Sequence, residues 1–321
     1  MPESKSVFAY QIRSVMCVPL CAIDGEPLGA LELVAQEGGK RFSSDDLELL
    51  LGVANQAAIA LENARRHEEL IRIEQVELDL EIAGQVQRSI LPEKPPQLPG
   101  YEFFAYYNSA LQVGGDYYDF IPLPAQRLAV TLGDVAGKGM PAALLMTKLC
   151  SDARYCFLAE SDPAAALGRL NELLHPHTNR TDRFVTFAAS VLDPLHHAVT
   201  LVNAGQLVPL LYRGSAGTLA AAVPYDVGGR PLGLEKARVY NSCHLELQPG
   251  DCLLFFTDGV TDAINVCNQR FGLEGIHKAV AGAGPCTARK LGKRVIQAVE
   301  QHAAGCSQHD DITLVCFGRT A

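Results

Sequence analysis

Residues 128–145 read LAVTLGDVAGKGMPAALL. An apolar, strand-like run ends at Gly133-Asp134, a glycine-rich turn follows, and a helix-like run opens at Pro141. Two readings compete for such a strand–turn–helix. Its glycines can cradle a nucleotide phosphate, or its turn can present the Asp134 carboxylate to a metal ion. A phosphate-binding loop of the P-loop type needs G-x-x-x-x-G-K-[ST]. Here Leu132 stands five residues before Gly137, and Lys138 is followed by Gly139 rather than serine or threonine. The nucleotide reading fails both tests, which leaves Asp134 as the residue to explain.

Asp134 has counterparts elsewhere. VGGDYYDF places Asp116 and Asp119 beside two glycines, LLFFTDGVTD places Asp258 at the end of an apolar run with Asp262 a turn later, and QHDDITLVCF places Asp310 and Asp311 just before another. A single Asp-Gly is usually only a turn. Four aspartate sites, each against a strongly apolar run, suggest strand ends that converge. Converging carboxylates repel unless cations sit between them. Hard oxygen donors without a histidine or cysteine cluster suit Mg²⁺ or Mn²⁺.

The surrounding pattern sets the fold class. Strand-like runs are RLAVTLGD, RFVTFAASVLD, AVTLVNAG, VPLLYR, CLLFFTDG and DITLVCFG. FVTFAASVLDPLHHAVTLVNAG has the pattern of a hairpin turning at Asp193-Pro194. Helical patterns cover Met140–Glu160, Asp162–His175 and Pro285–His302. Strands joined by hairpins, with helices in separate blocks, predict an α+β domain of antiparallel sheets covered by helices.

Upstream, ILPEKPPQLPG carries four prolines between Pro92 and Pro99 and ends a long helical stretch. That stretch begins at SSDDLELL, with Ser44 expected as N-cap and Asp45 and Asp46 in the first turn. A heptad frame can be laid on Leu47, Leu50, Ala54, Ala57, Leu61, Ala64, Glu68, Ile71, Gln75, Leu78 and Ile82. It predicts a dimerising seam, interrupted at Glu68 and Gln75; the plainer alternative is a helix lying on its own domain. Before it, SVMCVPLCAI, an Asp24-Gly25 turn and PLGALELVAQ read as two hairpin strands.

The 321 residues carry a formal net charge of −9. This argues against nucleic acid or an anionic membrane as partner. The 10 cysteines include no C-x-x-C pair and read as reduced, mostly buried small hydrophobes. No apolar run approaches the ~18 residues of a membrane span, so a cytoplasmic location is expected.

The motifs EIAGQVQRSILP, GGDYYDF, GDVAGKGMPAAL, NAG, RPLGL, FFTDGVTDA and DDITLV, in this order, resemble the bacterial branch of the metal-dependent serine/threonine phosphatases, the PP2C-like class. Within it the resemblance is to the SpoIIE/RsbU-type regulatory phosphatases of sigma-factor pathways. It implies two stacked antiparallel sheets flanked by helices, and two Mn²⁺ or Mg²⁺ ions with room for a third. It implies that Asp134 bridges the ions with the Val135 carbonyl beside it, that Asp258 and Asp310 hold the first ion, and that Asp116 serves the second. Asp134, Asp258 and Asp310 would then act in catalysis through a metal-activated water that attacks a phosphomonoester directly. Asp262 matches the place of a weaker third ion. Asp119 and Asp311 read as supporting residues. The implied substrate is a regulatory phosphoprotein, an anti-sigma-factor antagonist of the STAS type.

RSVMCVPLCAIDGEPLGALELV and FSSDDLELLLGVANQAAIALENAR resemble the C-terminal half of a GAF sensory domain. The resulting organisation is a partial GAF segment over 1–58, a linker and dimerisation helix over 59–91, and a phosphatase domain over 92–321. The resemblance has departures. The histidine that follows the bridging aspartate in the eukaryotic branch is missing from Asp134-Val135-Ala136-Gly137-Lys138, and the phosphate-binding arginine has no clear counterpart. Lys138 is a candidate phosphate contact or a surface lysine, and His309 a support for Asp310 or a solvated loop residue. Gln206 stands where relatives often have histidine. The competing function is a catalytically weak dimeric scaffold of the same fold.

Overall fold

The computed structural model describes residues 12–36, 38–224, 227–284 and 286–320. The first eleven residues of the expected sensory segment, and Pro285, at which a helix was expected to begin, lie outside them. By internal contacts the chain divides into two units, Met1–Asp79 and Leu80–Ala321.

In the first unit β1 (Ile12–Cys21) and β2 (Pro27–Gln36) form an antiparallel hairpin. Gly25 supplies the positive φ of its turn. α1 (Ser44–Ile90) begins here and runs on into the second unit. Its N-cap is Ser43, not the expected Ser44. The Ser43 N–H donates to Asp46 Oδ2 at 2.8 Å and the Asp46 N–H returns a bond to Ser43 Oγ, a reciprocal capping box. The small core joins Met16 and Val18 of the hairpin to Leu50 and Ala54 of the helix. Two positions of the heptad frame are thus used within the chain. Leu61, Ile71, Leu78 and Ile82 remain exposed.

The second unit is the expected pair of antiparallel sheets. One runs β10 (Gly228–Gly229), β7 (Ala198–Ala204), β6 (Val185–Asp193), β5 (Leu128–Val135), β4 (Asp116–Pro122), with β11 (Ser242–Glu246) also on β7. Among the named strands only the short β10–β7 pair is parallel. The other runs β3 (Tyr101–Asn108), β13 (Ile312–Arg319), β12 (Cys252–Phe256), β8 (Leu210–Arg213), β9 (Thr218–Ala221). α2 (Met140–Ala159) and α3 (Pro163–Thr181) pack on the first sheet; α5 (Gly272–Val280) and α6 (Ala288–His302) serve the second. The one-turn α4 (Asp258–Thr261) follows β12.

Period-two alternation shows why these runs became strands. Leu253, Phe255, Val315 and Phe317 point into the core shared with the first sheet, while Leu254, Phe256, Leu314 and Cys316 face α5 and α6. Phe317 stacks between Phe103 and Phe255, with ring centroids 5.8 and 6.2 Å away. β5 is buried along nearly its whole length, the signature of a central strand. The expected hairpin is β6–β7, and Asp193 Oδ1 accepts the N–H groups of Leu195 and His196 to form its turn.

Candidate metal centre

Four chain segments deliver the predicted carboxylates to one end of the sandwich. Asp116 opens β4 and Asp134 is the last residue but one of β5, and the two are direct cross-strand partners. Like charges in that relation are destabilising. Asp258 follows β12, and Asp310 and Asp311 precede β13; the Thr257 N–H to Thr313 carbonyl bond (3.0 Å) continues that ladder between them. Asp262 lies at the end of α4.

The electrostatics follow from this convergence. Burial and then the nearby Asp134 and Asp311 push the Asp116 carboxyl well above the ordinary range. Burial, then Asp258, Asp310 and Asp311, raise Asp134 to about 7. Asp258 is raised by desolvation, Asp310 and Asp262. Cations would relieve this mutual repulsion, so the all-oxygen donor set fits hard divalent ions. Among the described residues no three histidine, cysteine, aspartate or glutamate side chains already close around a single point.

Glycines make this crowding possible. A side chain at Gly114 would meet Tyr107 Oη and the Asp311 carboxylate, and one at Gly115 would stand 3.0 Å from the Val135 carbonyl oxygen. Gly137, at φ 95°, carries the turn after Asp134, with the Arg183 guanidinium against it.

The paired aspartates of each motif divide their tasks. Asp311 turns inward: its carboxylate accepts from the N–H groups of Ala110 (2.8 Å), Gly115 (2.6 Å) and Asp116. It holds the loop that aims Asp116. Asp119 is buried on β4 and pairs with Arg154 of α2 at 2.5 Å, away from the centre. Lys138 Nζ stands 3.1 Å from Asp310 Oδ2 and donates to the His309 carbonyl, so it bridges two loops of the centre. Asp262 is held by Arg270 at 3.0 Å.

Several supporting residues escaped the sequence reading. The hydroxyls of Thr257 and Thr313 both donate to Asp116 Oδ2, at 2.7 and 2.5 Å. Thr257 immediately precedes Asp258, and Thr313 follows the DDI run, so a threonine beside each acidic motif was the available signal. Arg183 donates to the Ala136 carbonyl at 2.5 Å and braces the turn after Asp134. Gln206, singled out in the sequence for standing where relatives often have histidine, links the sheets. Its Oε1 accepts from Thr186, the cross-strand partner of Asp134, and its Nε2 donates to the Phe256 carbonyl at 3.2 Å, two residues before Asp258. Asn203 fixes Gln206 through two backbone bonds.

The end of α1 also reaches this loop. Gln87, buried, donates from Nε2 to the Gly114 carbonyl at 2.7 Å and accepts the Gly114 N–H at 2.9 Å. Gly84 lets the helix backbone approach Gln112, whose carbonyl oxygen would lie 2.0 Å from any added Cβ.

Two stacked antiparallel sheets under helices, with aspartates gathered at one end, define the PP2C phosphatase fold. The SiaA-PP2C domain of Pseudomonas aeruginosa superposes with a TM-score of 0.67 at 20% identity, covering 78% of this chain and 99% of that one. The RsbU and RsbW domains of Rv1364c from Mycobacterium tuberculosis give 0.60 at 25% identity, over 70% of this chain and 62% of that one. Residues 124–320 match the Stage II sporulation protein E (SpoIIE) family, and the chain belongs to it. Residues 3–61 match the GAF domain. Among curated proteins, phosphoserine phosphatase RsbU of Bacillus subtilis is 27% identical over 265 residues, which is 79% of this chain and 74% of RsbU. Among the described residues no helix is long and apolar enough to cross a membrane.

Proposed function

We propose that this chain is a Mn²⁺- or Mg²⁺-dependent serine/threonine phosphatase acting on a regulatory phosphoprotein. The observation that carries the reading is the convergence of Asp116, Asp134, Asp258 and Asp310 on one centre, with the carboxyls of Asp116, Asp134 and Asp258 raised by burial and by one another. Two divalent ions held there would offset phosphate charge and ease deprotonation of an attacking water.

The protein's own residues have separable parts in this reading. Asp134 would hold the ions with the Val135 carbonyl beside it, Asp258 and Asp310 would hold the first, and Asp116 would hold the second. Thr257 and Thr313 hold one Asp116 oxygen and leave the other to face the centre. Gln206 fixes the spacing between the Asp134 and Asp258 strands. Asp262 belongs to the place of a third, weaker ion, in competition with Arg270.

The family relationship supports a phosphorylated STAS-type anti-sigma-factor antagonist as substrate. The exposed Leu61, Ile71, Leu78 and Ile82 of α1 support a homodimer through that helix. The Gln87 contact with Gly114 gives the helix a route to the Asp116 loop, and so to metal binding. The test is hydrolysis of p-nitrophenyl phosphate and of a phosphoserine protein with Mn²⁺, with EDTA, and in Asp134→Asn. Manganese-dependent turnover that disappears in the variant supports the assignment. A folded protein inactive with either metal, and titrating no metal by calorimetry, removes it.

A further inference from the structure

A cleft of about 530 Å³ opens beside the carboxylate centre, within the range of ligand pockets. Asp262 and Asp310 border it where it meets the centre, and Ile264, Val299, Ala303 and Ile312 give it apolar walls. The loop that forms one side is fixed at both ends. Asn265 and Gln269 close it through a 3.1 Å backbone bond, and His302 of α6 contacts the Gln269 carbonyl at 2.8 Å. The cleft is therefore a built feature and not a gap under a loose segment.

Its charges are unevenly answered. Asp262 is paired with Arg270 and Asp310 with Lys138. Glu300, on the exposed side of α6, takes a hydrogen bond from Tyr106 at 3.5 Å and makes no ion pair among the described residues. The strand register places Glu300 relative to the centre. Asn108 pairs with Ile312, two residues beyond Asp310, and Tyr106 pairs with Leu314 two residues further along. Tyr106, whose hydroxyl reaches Glu300, thus lies about 13 Å along the strand from Asp310, at about 3.3 Å per residue.

We infer that this cleft binds the polypeptide segment flanking the phosphoserine, and that Glu300 selects a basic residue in that segment. The inference rests on the phosphatase reading above. A phosphoserine side chain long enough to reach the centre leaves its main chain at the rim. An extended segment from that point passes over Ile264 and Ala303 and brings a residue two to four positions away to Glu300. A small aryl phosphate has nothing to place there.

The experiment uses the full chain with Mn²⁺ and two sets of phosphoserine undecapeptides. One carries lysine two to four positions from the phosphoserine, on either side, and the other carries glutamate there; p-nitrophenyl phosphate is the reference. The expected result is at least a tenfold preference in kcat/KM for a lysine peptide, expressed in KM. Glu300→Lys should invert that preference. Ala303→Arg, at a helix end whose φ of −84° suits any residue, should remove peptide turnover tenfold or more. Both variants should keep p-nitrophenyl phosphate turnover within twofold. Equal use of lysine and glutamate peptides by a protein that hydrolyses p-nitrophenyl phosphate overturns the cleft assignment alone, as does an unchanged preference in Glu300→Lys. Loss of p-nitrophenyl phosphate turnover in the unaltered protein overturns the phosphatase reading and this one with it.

Discussion

Asp134→Asn should make the metal-free protein more stable while abolishing its activity. The Asp134 carboxyl is raised from 3.8 to about 7 by burial and by Asp258, Asp310 and Asp311. A raised folded-state value means that the folded chain holds this proton more tightly than the unfolded chain. The contribution is therefore favourable at low pH and is lost as pH climbs towards 7. At about 1.36 kcal/mol per pH unit, ionised Asp134 opposes folding at pH 8 by up to about 4 kcal/mol. Asparagine keeps the shape and removes that charge, so a gain of about 2–4 kcal/mol is expected, since it still buries a polar amide. For a unit of this size that raises Tm by roughly 5–15 °C. At pH 5 the folded carboxyl keeps its proton and the gap should shrink to about 1 kcal/mol. The assay is thermal unfolding in EDTA at pH 5 and pH 8, repeated at pH 8 with Mn²⁺. Manganese should reverse the order, because the wild-type protein gains more by binding it. A variant no more stable than wild type in EDTA at pH 8, or a gap that does not narrow at pH 5, would refute the idea that stored repulsion prepares this centre for cations.

Three further outcomes follow from the geometry. Gln87→Ala strands both backbone groups of Gly114, at about 1–3 kcal/mol, and should weaken Mn²⁺ binding in calorimetry more than it lowers saturated turnover. Gln206→Leu cuts the tie between the sheets and should weaken Mn²⁺ affinity roughly tenfold or more, with Gln206→His restoring part of it; equal affinities would show that Gln206 does not set the spacing of the centre. Leu78→Glu should shift sedimentation towards monomer and change activity in parallel, and an unchanged sedimentation coefficient would remove the helix-mediated dimer.

Much of this arrangement was legible because apolar alternation and punctuation carry it. The runs around Asp134, Asp258 and Asp310 announced strands by pattern and strand ends by their aspartates, and the structure brings those ends into neighbouring positions. β3 and β4 were harder to see. YEFFAYYN and DYYDFIP are aromatic on both faces, so neither shows clean alternation, although aromatic enrichment favours strands. α5 was hidden by glycines in FGLEGIHKAV, and its helicity depends on Ile276 and Val280 packing beside α6. The cap at Ser43 was missed by one residue because either serine suits an N-cap; only the hydrogen bonds to Asp46 decide. Thr257, Thr313, Arg183 and Gln206 act across long stretches of chain, and no local period encodes such partners. α3 also continues past Pro176 to Thr181, where a proline would be expected to stop it.

The Asp310-Asp311 pair has an evolutionary consequence. Two identical adjacent letters specify an outward carboxylate, proposed above as a ligand, and an inward anchor, and only the pleat of the chain tells them apart. An Asp310→Asn lesion should leave a soluble, folded, inactive protein. The same change at Asp311 loosens three backbone N–H groups and should reduce the yield of folded protein itself. A genetic screen scored only for lost signalling would place the two in one class, whereas scoring protein abundance alongside would separate a damaged tool from a damaged body.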